Sequence, residues 1–266
     1  MQEFFSDGVR LAFLDFAPTA TNRGEPILLI HGFASNHGVN WVFPQWVKTL
    51  TSAGRRTIVF DNRGHGRSEK LYDPARYTPW VMARDAVNLL DHLAIVRADV
   101  MGYSMGARIA AHVALASPDK VRGLVLAGLG FHLVDGEGLP AGLADAMEAA
   151  SLEALTDPTQ RMFRAFAEAT KSDLRALAAC MRGSRHAMSE AEVATISAPT
   201  LICVGAQDHI AGPPERLARL MPNARTLVIP GRDHNKAVGD KTFKEGVLAF
   251  LDHLSASGPT TDRETC

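Results

Sequence analysis

An α/β fold built on a mostly parallel sheet is predicted by three observations: short aliphatic runs bounded by turn residues, helical spacing between them, and a length suited to one large unit. The runs are "PILLI" from Pro26, "RTIVF" from Arg56, "ADVMGY" from Ala98, "VRGLVLA" from Val121, "PTLICVG" from Pro199 and "ARTLVIP" from Ala224. Continuously apolar runs of this length suit strands buried on both faces of a parallel sheet. Alternation of such strands with helices implies right-handed crossovers. At 266 residues the chain fits a single large α/β unit or one core carrying an insertion.

Taken in order, the elements begin with "EFFSDGVRLAFLDF", which alternates around Ser6, Asp7 and Gly8 and reads as a hairpin at the sheet edge. Helical spacing covers 77–93, opened by a Thr-Pro start signal, and 104–116, stopped by Ser117 and Pro118. After Gly128 the alternation breaks. Residues 129–196 show no convincing strand but alanine-rich helical patterns, with Met162, Phe163, Phe166, Leu174, Leu177 and Met181 supplying an apolar face. The strand pattern resumes at Pro199. The expected organisation is therefore a core of 1–128 and 197–257, a helical cap at 129–196 that covers a site, and a polar tail at 258–266.

Composition narrows the function. The apolar fraction of 46% and charged fraction of 21% describe a globular chain with ample core material. A formal net charge of -1, with no block of like charges, gives no attraction to nucleic acid or anionic membrane, so a small-molecule partner is expected. The N-terminus has no basic region followed by an apolar run, and no apolar stretch reaches bilayer length. Three scattered cysteines, Cys180, Cys203 and Cys266, form no C-x-x-C and argue against a disulfide framework or a zinc site. No H-E-x-x-H occurs, so no metal and no cofactor is expected, and a cytoplasmic location is. "GEGLPA" from Gly136 imitates a dinucleotide motif, but Pro140 and the lack of a preceding strand make it a loop. Oligomeric state is not encoded in any of these features.

Gly102-Tyr103-Ser104-Met105-Gly106 fits the G-x-S-x-G pattern of a nucleophile elbow. In an open parallel sheet, ligand-binding groups collect at the carboxyl ends of the strands. Those ends read His31-Gly32-Phe33, then Asp61 to Gly66, then Ser104, then Gln207-Asp208-His209, then Arg232-Asp233-His234. A serine, an acid and a histidine thus appear in that order at three strand ends.

With "HGF", "DNRGHGRS", "GYSMG", "VGAQD" and "GRDH" in this order on these elements, the chain resembles the α/β-hydrolase superfamily. The likeness is to the subgroup with a helical cap after the sixth strand of an eight-stranded, mostly parallel twisted sheet. It spans nearly the whole sequence. One departure is Ala107, where many relatives have a second glycine after Gly106; it bears on packing and not on chemistry.

The resemblance implies a Ser104, Asp208, His234 triad, and the chemistry explains those residue types. A serine hydroxyl is a poor nucleophile until a base takes its proton during attack. His234 is placed to accept that proton and return it to the leaving group, so activity should rise with pH as the imidazole becomes neutral. Asp208 behind it would fix the tautomer. Two backbone N–H groups would hold the oxyanion: Met105 at the helix start and Phe33 in "HGF". Gly102 and Gly106 would relieve crowding at the strand-to-helix turn, with strained backbone at Ser104.

Neighbouring candidates read as structural. Asp233 is adjacent to His234, a poor geometry for a triad acid, and no carboxylate follows the sixth strand before Asp135. His209 reads as a loop residue, His65 as a turn residue and His31 as a shaper of the oxyanion loop. Asp61 and Arg63 are expected to brace loops. Arg108, one turn after Ser104, is open between an acid partner and a solvated face. The expected activity is a carboxylesterase acting through an acyl-enzyme on a small to medium ester or lactone. Alternatives are a C–C bond hydrolase, a cofactor-free haloperoxidase or perhydrolase, and a small-ligand receptor that retains the triad.

Overall fold

The computed structural model describes residues 1–22, 24–136 and 142–256. The expected tail at 258–266 and residues 137–141 of "GEGLPA" lie outside the described residues. Eight strands form one sheet: β1 (Gln2–Ser6), β2 (Val9–Phe16), β3 (Ile27–Ile30), β4 (Thr57–Phe60), β5 (Ala98–Tyr103), β6 (Val121–Ala127), β7 (Thr200–Gly205) and β8 (Ala224–Ile229). Their order across the sheet is β1-β2-β4-β3-β5-β6-β7-β8. The first hairpin and the β2–β4 pairing are antiparallel, and every later pairing is parallel. This is the α/β-hydrolase fold that the apolar runs and motifs predict.

Ten α-helices accompany the strands among the described residues: α1 (Trp46–Ser52), α2 (Pro79–His92), α3 (Met105–Ala116), α4 (His132–Asp135), α5 (Leu143–Glu148), α6 (Pro158–Ala169), α7 (Leu174–Gly183), α8 (Glu190–Ala194), α9 (Pro214–Ala218) and α10 (Lys241–Ala256). α2 starts where Thr78 caps Val81 N–H with Pro79 at the first turn. Helices α4 to α8 all lie between β6 and β7.

Because strand side chains alternate between faces, each central strand feeds two cores. Leu28 and Ile30 pack with Met82, Leu89 and Ile109 of α2 and α3 on one face. Ile27 and Leu29 pack with Trp46, Leu50, Phe243 and Phe250 of α1 and α10 on the other. Burial on both faces is why these runs are continuously apolar. β8 departs from that expectation. As an edge strand it is only half buried, and Val228 is 44% exposed.

Buried ions pin the loops. The Arg63 guanidinium donates to both oxygens of Asp85 at 2.6 and 2.7 Å, tying the loop after β4 to α2. Ser6 Oγ donates to the same carboxylate at 2.5 Å. Asp61 accepts from the backbone N–H and ring Nδ1 of His37 at 2.8 Å each, and from Arg67 N–H at 2.8 Å. Both residues thus brace loops as expected.

Candidate active site

Parallel pairing brings the carboxyl ends of β3, β5, β6, β7 and β8 to one edge, and the site is assembled there. β5 ends at Tyr103 and α3 begins at Met105, so Ser104 must make the whole turn. It does so at φ 56° and ψ −115°, a conformation that side chains rarely adopt. The flanking glycines permit it by space. A Cβ on Gly102 would lie 2.0 Å from Gly106 O, and one on Gly106 would lie 2.0 Å from Ile30 O. Ser104 N–H donates to Ala127 O at 2.7 Å, which locks the elbow onto β6.

The structure brings Ser104, His234 and Asp208 together across 130 residues of sequence. Ser104 Oγ lies 3.0 Å from His234 Nε2, and His234 Nδ1 lies 2.8 Å from Asp208 Oδ2. The other carboxylate oxygen accepts the N–H groups of Ile210 and Ala211 at 2.9 and 3.1 Å. Both Asp208 oxygens are thereby occupied, so the acid is fixed while Nδ1–H donates to it. That tautomer leaves Nε2 free to accept from the serine hydroxyl.

Two residues shaping this geometry escape sequence reasoning. Tyr103, 4% exposed, donates its hydroxyl to the backbone carbonyl of His234 at 2.5 Å. Burial pushes its pKa well above the usual phenol range, so the proton stays on the donor. Gly128, at φ 61°, leaves room for the Tyr103 ring first and the imidazole next, because a Cβ there would stand 2.9 Å from Tyr103 Cε1 and 3.2 Å from His234 Cε1. A tyrosine before the serine and a glycine after β6 are visible in the sequence, but their partners are not.

Phe33 and Met105 are 4% and 6% exposed, and their backbone N–H groups donate to no acceptor among the described residues. Met105 is the first residue of α3, where a helix leaves its N–H without an internal acceptor. The loop carrying Phe33 is held from below. His31 Nδ1–H donates to Gly32 O at 2.8 Å, while its Nε2 accepts Asn62 N–H at 3.0 Å. His65 packs its ring against both His31 and Phe33, at centroid distances of 5.2 and 6.1 Å.

The remaining candidates fall away from the chemistry. Asp233 is turned to Lys236 and the N–H of Asn235, and His209 is exposed. Arg108 is set among backbone carbonyls and off the solvated face, with the Asp135 carboxylate acting on it electrostatically. It donates to the backbone carbonyls of His132, Leu133 and His186 at 2.9, 3.2 and 2.8 Å. Burial lowers its pKa to about 10, with Arg185 adding to the shift and Asp135 opposing it.

Beside Ser104 opens a cleft of about 350 Å³ whose walls include Phe33, Val39, Pro44, Phe163, Phe166 and Val238. α6 contributes Phe163 and Phe166, and its C-cap Thr170 reaches the loop after β3, donating Oγ1–H to Ala34 O at 2.9 Å. Met162, expected on the packed face of that helix, is 38% exposed and borders the cleft. Among the described residues no group of three or more His, Cys, Asp or Glu is arranged to hold a metal, and no helix is long and apolar enough to cross a membrane.

A model of the family described as alpha/beta hydrolase fold matches residues 25–178, and the chain belongs to that family. Within it, the chain is 30% identical over 244 residues to the dihydrolipoyllysine-residue acetyltransferase component of an acetoin cleaving system from Pseudomonas putida, covering 86% of this chain and 64% of that one. It is 37% identical over 144 residues to 2-hydroxymuconate semialdehyde hydrolase from Pseudomonas sp. strain CF600, covering 51% and 46% respectively. The chain thus spans less than two thirds of the length of either relative. The solved structure of the enol-lactonase from Burkholderia xenovorans LB400 superposes with a TM-score of 0.80 at 23% identity, over 94% of this chain and all of that one. That likeness concerns the fold.

Proposed function

We propose that this chain is a serine hydrolase that cleaves small to medium carboxylic esters, lactones included, through an acyl-enzyme on Ser104. The observation that carries the reading is the continuous Ser104, His234, Asp208 hydrogen-bond chain opening into an apolar cleft. His234 Nε2 takes the hydroxyl proton as Ser104 Oγ bonds to the acyl carbon, and the carbonyl oxygen gains negative charge between the N–H groups of Phe33 and Met105. The imidazolium then protonates the departing alkoxide. A water molecule repeats the sequence, its proton going to His234 and the acid leaving as Ser104 is restored. The relative named a hydrolase supports this class of reaction.

The test is turnover of p-nitrophenyl butyrate by the wild type and by Ser104→Ala. Loss of at least about a thousandfold in kcat is expected, by analogy with nucleophile deletions elsewhere, at an unchanged thermal midpoint. Retention of more than a few per cent of the rate overturns the assignment of Ser104. A wild type that binds the ester without turning it over points instead to the receptor reading.

A further inference from the structure

Ser104 also borders a second recess, which shares no other lining residue with the apolar cleft. The walls of the two differ in kind. No arginine, lysine or acid is among the described residues lining the cleft, whereas Arg108 and Arg185 line the recess together with Met105, Leu129 and Ser184. At about 40 Å³ the recess has room for about three water-sized groups, since one water needs roughly 10–15 Å³. That suits a carboxylate and excludes a hydrocarbon chain.

Three positive contributions meet there. Met105 opens α3, a 12-residue helix whose N-terminal end carries partial positive charge. Arg108 N–H bonds back to Ser104 O at 3.2 Å, so Arg108 stands one helical turn from Ser104. Its guanidinium donates to the carbonyls of His132, Leu133 and His186, which satisfy hydrogens without neutralising the charge. Elsewhere in the inserted segment the guanidiniums of Arg164 and Arg182 meet carboxylates directly. Arg108 meets none among the described residues. The third contribution is Arg185, whose side chain is exposed. After burial, the Arg185 charge is what most disfavours protonated Arg108, and Asp135 offsets part of that. A bound anion would relieve the repulsion between the two cations.

We infer that this recess is an anion subsite for the alcohol side of the ester, formed by Arg108 and Arg185 at the N-terminal end of α3. An ester presents two arms to Ser104, and the two recesses meet only at that residue. The roomy apolar cleft suits the hydrocarbon acyl arm, which leaves the narrow charged recess to the alcohol arm. One helical turn is about 5.4 Å, a gap that one or two carbons between the ester oxygen and a carboxylate can bridge. The substrate class is then an ester of a short hydroxy acid whose carboxylate is free. A guanidinium matches that group because its planar fork pairs with both carboxylate oxygens. This rests on the ester-hydrolase reading and narrows it.

The experiment compares butyryloxyacetate with butyryloxyacetamide, which share an acyl group and differ in bearing a carboxylate or a neutral amide on the alcohol side. Their intrinsic reactivities cancel when the kcat/KM ratio of the two esters is compared between wild type and variants. The carboxylate preference is expected to fall about tenfold in Arg185→Gln, as loss of a charge-assisted hydrogen bond implies, and further in Arg185→Glu. Arg185→Lys should recover part of it, and Arg108→Gln should lower it as well. Thermal unfolding reports whether each variant folds, and the Arg185 variants, changed at an exposed side chain, carry the test if Arg108→Gln does not. An unchanged preference in Arg185→Gln and Arg185→Glu overturns the inference, whether both rates fall together or neither moves. Calorimetric binding of both esters to Ser104→Ala separates this inference from the reading it rests on. A wild type inactive on both esters overturns the hydrolase reading; the subsite then stands if Ser104→Ala binds the carboxylate about tenfold more tightly than the amide, and falls if it binds them equally.

Discussion

His65 shows how a single buried side chain sets a property of the whole site. Its Nδ1–H donates to Arg63 O at 2.9 Å, its Nε2 has no partner among the described residues, and its ring supports Phe33. Burial lowers its pKa to about 3, with His31 and Lys70 repelling a second positive charge and Asp61 and the Arg63 carbonyl opposing the shift. A histidine that is neutral when folded but has an ordinary pKa near 6.5 when unfolded binds more protons in the unfolded chain between those values. Its contribution to stability is complete above pH 6.5 and declines as pH falls toward 3, at roughly 1.4 kcal/mol per pH unit for one proton. Urea unfolding of the wild type from about pH 6.5 down to 4.5 should show that slope, and His65→Gln should remove one proton's share of it. An equal slope in the variant would mean that His65 is charged in the folded protein.

At the scale of elements, legibility follows the range of the forces involved. β3 to β7 and the start of α2 at Thr78 are readable because burial on two faces and an N-cap are local patterns. The π-turn Gly38–Val42, which places Asn40 Oδ1 to accept the N–H of Gly32, is not, since that partner lies outside the local pattern. Arg108 is unreadable for the same reason. Its three acceptors lie 24, 25 and 78 residues ahead, in α4 and in the stretch before α8. Those bonds make Arg108 a tie between α3, which begins next to Ser104, and the segment inserted after β6. Replacing it with methionine keeps much of the volume but leaves three carbonyls short of a donor. A loss of about 2 kcal/mol in unfolding free energy is expected, given the cost of unpaired buried polar groups. Arg108→Lys should recover only part of it, because one ammonium cannot fan out as a guanidinium does. A change below about 0.5 kcal/mol for methionine, within the range of ordinary surface substitutions, would show that water serves those carbonyls equally well.

For the whole molecule, the sheet order is what converts scattered motifs into a site. β5 lies between β3 and β6, so Ser104 has the His31–Phe33 loop on one side and the Gly128 turn on the other, while β7 and β8 deliver Asp208 and His234. The order of Ser104, Asp208 and His234 along the chain was legible; their separation in space required the sheet, and the shape of the cleft required α6 folded over it. That cleft also bears on the proposed ester hydrolysis. With about 350 Å³ and walls of Val39, Phe163, Phe166 and Val238, it has room for a short or medium acyl chain. Each methylene that enters such walls adds about 0.8 kcal/mol, or roughly fourfold in kcat/KM, until the space is filled. For p-nitrophenyl esters the rise should therefore run from acetate through butyrate and hexanoate, flatten by octanoate and reverse for palmitate, whose chain must leave the cleft for water. Measuring kcat/KM along that series below the micellar range decides the matter. A maximum at palmitate would show that α6 moves away from Ser104 when a long chain binds, and that the walls seen here are a door.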